Sequence, residues 1–139
     1  MRSEYKRTKD RAWKYFSLYI RTRDCLKTTG FKDQGKCVTC PEYFPFSELD
    51  AGHALAGRNM SILFDEDLTN AQCHRCNRSV EYGGLGGNYG VYSLWFIENY
   101  GLKKWEKKVF ISNQSKKLST VELDEIAKKY KLKYERLVK

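Results

Sequence analysis

Cys37-Val38-Thr39-Cys40 and Cys73-His74-Arg75-Cys76-Asn77 are the two stretches on which the reading of this chain turns. Each Cys-x-x-Cys pair supplies two sulfurs from one tight turn, and zinc takes a tetrahedral set of thiolate or imidazole ligands. Cys37, Cys40, Cys73 and Cys76 are therefore expected to hold one structural zinc ion. His74 lies between two better ligands and is expected to stay outside the set. The same spacing also serves rubredoxin-type iron, so an electron-transfer protein is a remote alternative. The fifth cysteine, Cys25, makes the count odd, and with no apolar signal segment at the start this argues against a disulfide framework. Cys25 is read as a small, semi-buried thiol.

The 32 residues between Cys40 and Cys73 leave room for a hairpin. Glu48-Leu49-Asp50-Ala51-Gly52-His53-Ala54 reads as one short strand and Ser61-Ile62-Leu63-Phe64 as a second. Gly57-Arg58-Asn59 is the loop between them, and Asp65 to Asn70 the turn leading back to the second cysteine pair. Strand, loop, strand, then a helix begun at a cysteine makes a ββα unit.

The flanks read as helices. From about residue 4 to 22, Ala12, Trp13, Phe16, Tyr19 and Ile20 recur at helical spacing. Residues 90–100 form an apolar helix with Val91, Leu94, Trp95, Ile97 and Tyr100, stopped by Gly101. A short helix surrounds Trp105. Ser119-Thr120-Val121-Glu122 is a capping-box opening to a last helix, whose stripe is Leu123, Ile126, Ala127, Tyr130, Tyr134 and Leu137. That stripe is expected in the core, with a homodimer interface as the other use. Gly83-Gly84-Leu85-Gly86-Gly87-Asn88 is read as a flexible loop; it lacks the Lys-Ser/Thr ending of a phosphate-binding loop.

The net charge of +9 is unevenly spread. Residues 1–36 carry 11 Lys/Arg against 4 Asp/Glu, residues 37–102 carry 3 against 8, and residues 103–139 carry 12 against 5. Basic flanks attract polyanions, nucleic acid above all. The acidic centre is where a divalent cation could sit. No apolar run reaches the length of a membrane span, so a soluble cytoplasmic protein is expected.

Phosphodiester hydrolysis needs a base to activate water and a cation to stabilise charge on the phosphate and the leaving oxygen. His53 has the chemistry of the base. Asn77 and Asp50 offer oxygens suited to Mg²⁺ or Mn²⁺. A zinc ion on Cys76 would fix the helix bearing Asn77, so the scaffold metal and the catalytic metal would be different ions.

Together, Phe16-Ser17-Leu18-Tyr19-Ile20-Arg21-Thr22-Arg23-Asp24, Cys37-Val38-Thr39-Cys40, Asp50-Ala51-Gly52-His53, Leu63-Phe64-Asp65-Glu66 and Gln72-Cys73-His74-Arg75-Cys76-Asn77 resemble the phage NinG/Rap recombination endonucleases. These are HNH, or His-Me finger, nucleases with Asn in the third position. Phage endonuclease VII, a junction resolvase, is similar in its two cysteine pairs and the Asn after the last. The resemblance implies that His53 is the general base, that Asn77 holds the catalytic cation and that Asn70 orients the His53 loop by backbone hydrogen bonds. It implies Arg58 or Arg78 on the scissile phosphate, and products with 5′-phosphate and 3′-hydroxyl ends. Many HNH proteins carry Asp or His just before the catalytic His, where this chain has Gly52. Asp50, two residues earlier on the same strand face, is expected to replace that ligand.

The expected architecture is α+β: a zinc-stapled ββα (His-Me finger) core over residues 37–88, within a single domain spanning 1–139. A basic N-terminal helix and turn (1–36) and a basic helical C-terminal part (89–139) extend it. The expected activity is metal-dependent endonucleolytic cleavage of DNA, branched or junction DNA by resemblance, in phage recombination and so in the host cytoplasm. A non-catalytic zinc module that binds nucleic acid is the alternative; it has no use for His53.

Overall fold

The computed structural model describes residues 2–57 and 59–139. Arg58, expected on the phosphate, lies outside the described residues. The protein is α+β, with five helices and two separate two-stranded sheets among the described residues.

Helix α1, Glu4–Thr29, runs further than its apolar pattern suggests. The Ser3 hydroxyl caps its start by accepting from Lys6 N, and the Gly30 N–H closes its end on Leu26 O. The buried positions Thr8, Ala12, Phe16, Ile20 and Asp24 recur every fourth residue, a stripe that winds slowly around the helix. The first part of that stripe meets α5, Thr120–Leu137, through two clusters. Ala12 packs with Leu118, Leu123 and Ala127; Phe16 and Ile20 pack with Ala51 and Tyr130. Leu123, Ala127 and Tyr130 of the α5 stripe are thus core, with Ile126, Tyr134 and Leu137 half-buried, and its Ser119/Glu122 capping box is present. The two basic flanks, distant in sequence, form one helical layer.

The last turns of α1 carry the first sheet. Strand β1, Gln34–Lys36, pairs antiparallel with β2, Tyr43–Pro45, and the first cysteine pair forms the turn between them. Thr29 Oγ1 donates to Gln34 O at 2.8 Å, and Lys36 N donates to Thr28 Oγ1 at 3.1 Å, so β1 is tied directly to the helix end. A one-turn 3₁₀ segment then leads into β3, Leu49–His53. Its partner is β4, Thr69–Cys73, with Asp50 opposite Gln72, Gly52 opposite Asn70 and His53 opposite Thr69.

Here the structure departs from the sequence reading. Ser61 to Phe64 is not a strand. Its backbone turns back on itself, with Ile62 N and Leu63 N both donating to Asn59 O, and its side chains Ile62 and Leu63 are buried. An apolar run of four cannot by itself distinguish a strand from a buried loop. The strand lies eight residues later because α1 supplies its partners. Asp24 Oδ2 accepts from Ala71 N at 2.7 Å, and Arg23 donates to Thr69 O at 2.9 Å.

The second cysteine pair opens α2, His74–Asn77, a helix of one turn with Cys73 as its N-cap. Asn77 is its last residue. The glycine segment that follows is wrapped onto it: Leu85 N donates to Arg75 O, Gly86 N to Arg78 O and Gly87 N to Cys76 O, at 2.7–2.8 Å. These bonds satisfy the helix's terminal carbonyls. A Cβ at position 84 would overlap the Arg78 carbonyl, so glycine there serves close backbone approach, not flexibility.

Helix α3, Tyr89–Tyr100, buries Tyr92 and Phe96, while Val91 and Leu94 face outward. It is apolar nearly all round, so its pattern alone does not select a face. Helix α4, Leu102–Ser112, follows Gly101 and lays Trp105 against Phe96. No helix among the described residues is long and apolar enough to cross a membrane.

Candidate metal centre and adjoining cleft

The β1–β2 turn and the β4–α2 junction bring Cys37, Cys40, Cys73 and Cys76 together, with all four sulfurs within 4.8 Å of one another. Tetrahedral zinc with Zn–S of about 2.3 Å implies sulfur–sulfur edges of about 3.8 Å. Cys40 Sγ and Cys73 Sγ are 3.9 Å apart. The Cys73 N–H points at Cys37 Sγ at 3.3 Å and the Cys76 N–H at Cys73 Sγ at 3.5 Å, donors that suit thiolate charge. Burial pushes the Cys37 thiol up, but the N–H of Cys73 and the N–H and hydroxyl of Thr39 outweigh it, and its net shift is downward. The donor set fits zinc. His74 is outside it, with Nε2 3.4 Å from Asp50 Oδ1. Cys25 lies under the same cluster but is no ligand; burial first, then Asp24, pushes its thiol up to about 11.

The acidic centre is mostly spent on architecture. Asp65 meets Lys108 at 2.7 Å, Asp67 meets Lys104 at 3.1 Å, and Glu66 accepts from Lys133 at 2.9 Å and Tyr130 at 2.8 Å. These carboxylates clamp the basic helices to the core. Asp50 is different. Its carboxylate is half-buried beside Asn77, whose Nδ2 donates to Oδ2 at 3.1 Å. Arg78 reaches both of its oxygens at 3.3 Å. Arg78 is thereby an ion-pair partner of Asp50, while its guanidinium stays largely exposed.

Asp50, Asn77 and Arg78 line a cleft of about 330 Å³ with Trp13, Ser17 and Arg21 of α1 and with Leu49 and Ala51. Residues 49, 50 and 51 point to alternate faces of a strand, so a cleft touching all three runs along the outer edge of β3. The outer edge of β4 is closed instead, with Ala71 bonded to Asp24 and to Val38 N. Arg21 donates to Ser17 O and Oγ; burial lowers its pKa against the pull of Asp50, yet a guanidinium stays charged.

His53 ends β3, three residues beyond Asp50 and so on the opposite face. It is 6% exposed, stacks on Trp13 at 5.4 Å between ring centroids, and places Nε2 3.0 Å from Leu63 O. A carbonyl only accepts, so Nε2 carries a proton; in the neutral form of the ring the lone pair is then on Nδ1. Trp13 and Leu63 also line a second concavity with Lys6, Lys9 and Asp10. Trp13 therefore borders both hollows, one basic and one holding the Asp50–Asn77 pair.

Over residues 2–139 the sequence matches the family model described as Bacteriophage Lambda NinG protein. The chain belongs to the NinG family. No curated protein and no solved structure matches it.

In this NinG-family chain Asn70 pairs directly with Gly52 in the β3–β4 ladder, and its side chain reaches the same residue through Tyr92. Its Nδ2 donates to Asp67 O and, at 3.1 Å, to the Tyr92 hydroxyl, and that hydroxyl donates to Gly52 O at 2.7 Å. Arg23 holds Asn70 Oδ1 from the other side at 3.1 Å. Burial opposes the charge of Arg23, but Asp24 beside it outweighs this and its pKa rises. Tyr92 is fully buried, which drives its pKa far up and keeps it a donor. Residue type and spacing do not single out Tyr92, Gln72, Arg23 or Asp24; the sequence signals are that Arg23 and Asp24 end the Phe16–Asp24 stretch and that Gln72 opens the Gln72–Asn77 stretch.

Proposed function

We propose that this chain is a metal-dependent DNA endonuclease of the HNH (His-Me finger) kind, acting on branched or junction DNA in phage recombination. The observation that carries the reading is the arrangement on β3. The Leu63 carbonyl holds a proton on His53 Nε2, and three residues earlier, on the other face of the strand, Asp50 is hydrogen-bonded to Asn77 in a cleft edged by arginine.

In this reading β3, β4 and α2 are the ββα unit, and zinc on the four cysteines would staple the β1–β2 turn to the β4–α2 junction. His53 Nδ1 takes the proton of the attacking water, a general-base role worth about 10²–10⁴ in rate. Asn70 and Tyr92 position it by fixing the Gly52 carbonyl on the preceding residue. Asp50 and Asn77 offer carboxylate and amide oxygens, the hard donors preferred by Mg²⁺ or Mn²⁺. When bound there, the cation supplies charge stabilisation on the phosphate and the leaving oxygen. Arg78 and Arg21 lie where a phosphate entering the cleft would pass, and Lys6 and Lys9 lie beyond Trp13 on the other side. The branched substrate is supported by the family resemblance and by the basic layer of α1 and α5.

A second reading, a zinc module that binds nucleic acid without cutting it, is favoured by the low exposure of His53 and by the pairing of Asp50 with Arg78. Incubating a four-way junction and a matched linear duplex with the protein, in Mg²⁺ and in chelator, separates the two. Mg²⁺-dependent cutting supports the nuclease; tight binding with no cutting supports the module.

A further inference from the structure

Gly52 sits where many HNH proteins have a metal ligand, and its surroundings explain the glycine. A Cβ built at position 52 would overlap Gln72 Oε1, and it would lie 3.0 Å from Asn77 Oδ1. Two amide oxygens, one from the neighbouring strand and one from the end of α2, thus converge on the space above Gly52. Asp50 projects from the same face of β3, opposite Gln72 in the register, and its carboxylate already touches Asn77.

Gln72 is wholly buried. Its Nε2 is committed, donating to Thr39 Oγ1 at 3.0 Å and to Gly87 O at 2.9 Å. The Gly87 carbonyl can only accept, so the amide cannot be turned the other way. Gln72 Oε1 is left as the one buried side-chain oxygen or nitrogen with no hydrogen-bond partner among the described residues. A buried acceptor held without a donor is unfavourable and uncommon in folded proteins. Here the fold fixes that oxygen beside the two residues best suited to a hard cation.

We infer that the Gln72 amide oxygen is a ligand of the divalent cation, supplied across the hairpin in place of the side chain that position 52 lacks. Gln72 joins Asn77 and Asp50 in a three-oxygen set, and Gly52 is glycine because the ligand comes from β4. This rests on the proposed cation at Asp50 and Asn77, and it assigns that cation a donor which neither spacing nor residue type indicates.

Zinc-loaded protein of the native sequence, labelled with ¹³C and ¹⁵N, is titrated with Mg²⁺ while the side-chain carbonyl carbons are followed. The Gln72 and Asn77 carbonyl carbons should move together along one binding curve. Mn²⁺ affinity is then measured by calorimetry for the native chain, Gln72→Leu, Gln72→Glu and Asp50→Asn, with zinc content and a cooperative melt checked for each. Gln72→Leu should weaken Mn²⁺ at least tenfold with zinc retained, and Gln72→Glu should tighten it. An Asn77 carbon that shifts while Gln72 stays still overturns the assignment. So does a Gln72→Leu affinity within twofold of native when Asp50→Asn has lost binding. If the native chain takes up no Mg²⁺ or Mn²⁺ beyond zinc and shows no shift at Asn77, the cation reading itself falls. If Gln72→Leu does not fold, the native-sequence titration and Gln72→Glu still decide.

Discussion

Replacing Tyr92 by Phe removes a single oxygen from the centre of the protein. That oxygen donates to Gly52 O at 2.7 Å and accepts from Asn70 Nδ2 at 3.1 Å, in a site with no solvent exposure. A buried polar group stripped of its partner costs about 1–3 kcal/mol. Asn70 Nδ2 keeps a contact to Asp67 O at 3.3 Å and Gly52 keeps its ladder pairing with Asn70, so both losses are partial. The sum is about 1–2 kcal/mol. For 139 residues the unfolding entropy near the midpoint is about 0.3 kcal/mol/K. The melting temperature should therefore fall by about 3–7 °C. Thermal and urea unfolding followed by circular dichroism measure this, with Tyr82→Phe, on an 83% exposed tyrosine, as the control that should not move. Zinc content should be unchanged. In the proposed nuclease, junction cleavage well below the melting temperature should also fall about tenfold or more, because the Gly52 carbonyl precedes His53 and small displacements of a reacting group carry large rate penalties. A stability loss under about 0.5 kcal/mol would refute the Asn70–Tyr92–Gly52 chain as a support of β3.

Two further outcomes test other parts of the structure. Cys76→Ser should abolish the binding of about one zinc per chain and the cooperative unfolding with it, since structural zinc is worth about 10–16 kcal/mol, as much as a whole domain's stability; full zinc occupancy in the variant, by elemental analysis, would contradict the four-sulfur site. Glu66 is pushed up by burial, but Lys133 and Tyr130 outweigh this and hold its carboxyl below the ordinary glutamate value. Its contribution is therefore complete above that ordinary value and is lost as pH falls through the lowered one. Glu66→Gln should destabilise by about 1–2 kcal/mol at pH 7, with the gap to the native chain closing below about pH 4; an equal gap at pH 7 and pH 3 in urea titrations would remove the Glu66 clamp from the account.

Much of this molecule can be read from its chain, and what cannot be read has identifiable causes. The four cysteines declare themselves because sulfur ligands in paired turns have few other uses. The capping box at Ser119 and the stripe of α5 follow from local rules, and α5 is core as its pattern suggests. The apolar run Ser61 to Phe64 mimics a second strand, whereas the true one, Thr69 to Cys73, is mixed in composition and owes its place to Arg23 and Asp24, some 45 residues earlier. The glycine segment reads as flexible until its N–H groups are seen closing the carbonyls of α2. At the candidate site, Asp50 and Asn77 lie together as expected, Arg78 is the partner of Asp50, and Asn70 acts both through its ladder pairing with Gly52 and through Tyr92. Gln72 could not be found in advance, because its significance lies in an unpaired oxygen that exists only once the hairpin has formed.

The central claim is that His53 does chemistry and is not only part of the core. Initial cleavage rates of a four-way junction by zinc-loaded native chain and by His53→Ala, in Mg²⁺ and with DNA affinity measured alongside, test it most directly. The account predicts a loss of at least about 10² in rate with zinc content and affinity little changed. A variant that folds, binds and cuts as fast as the native chain would contradict it.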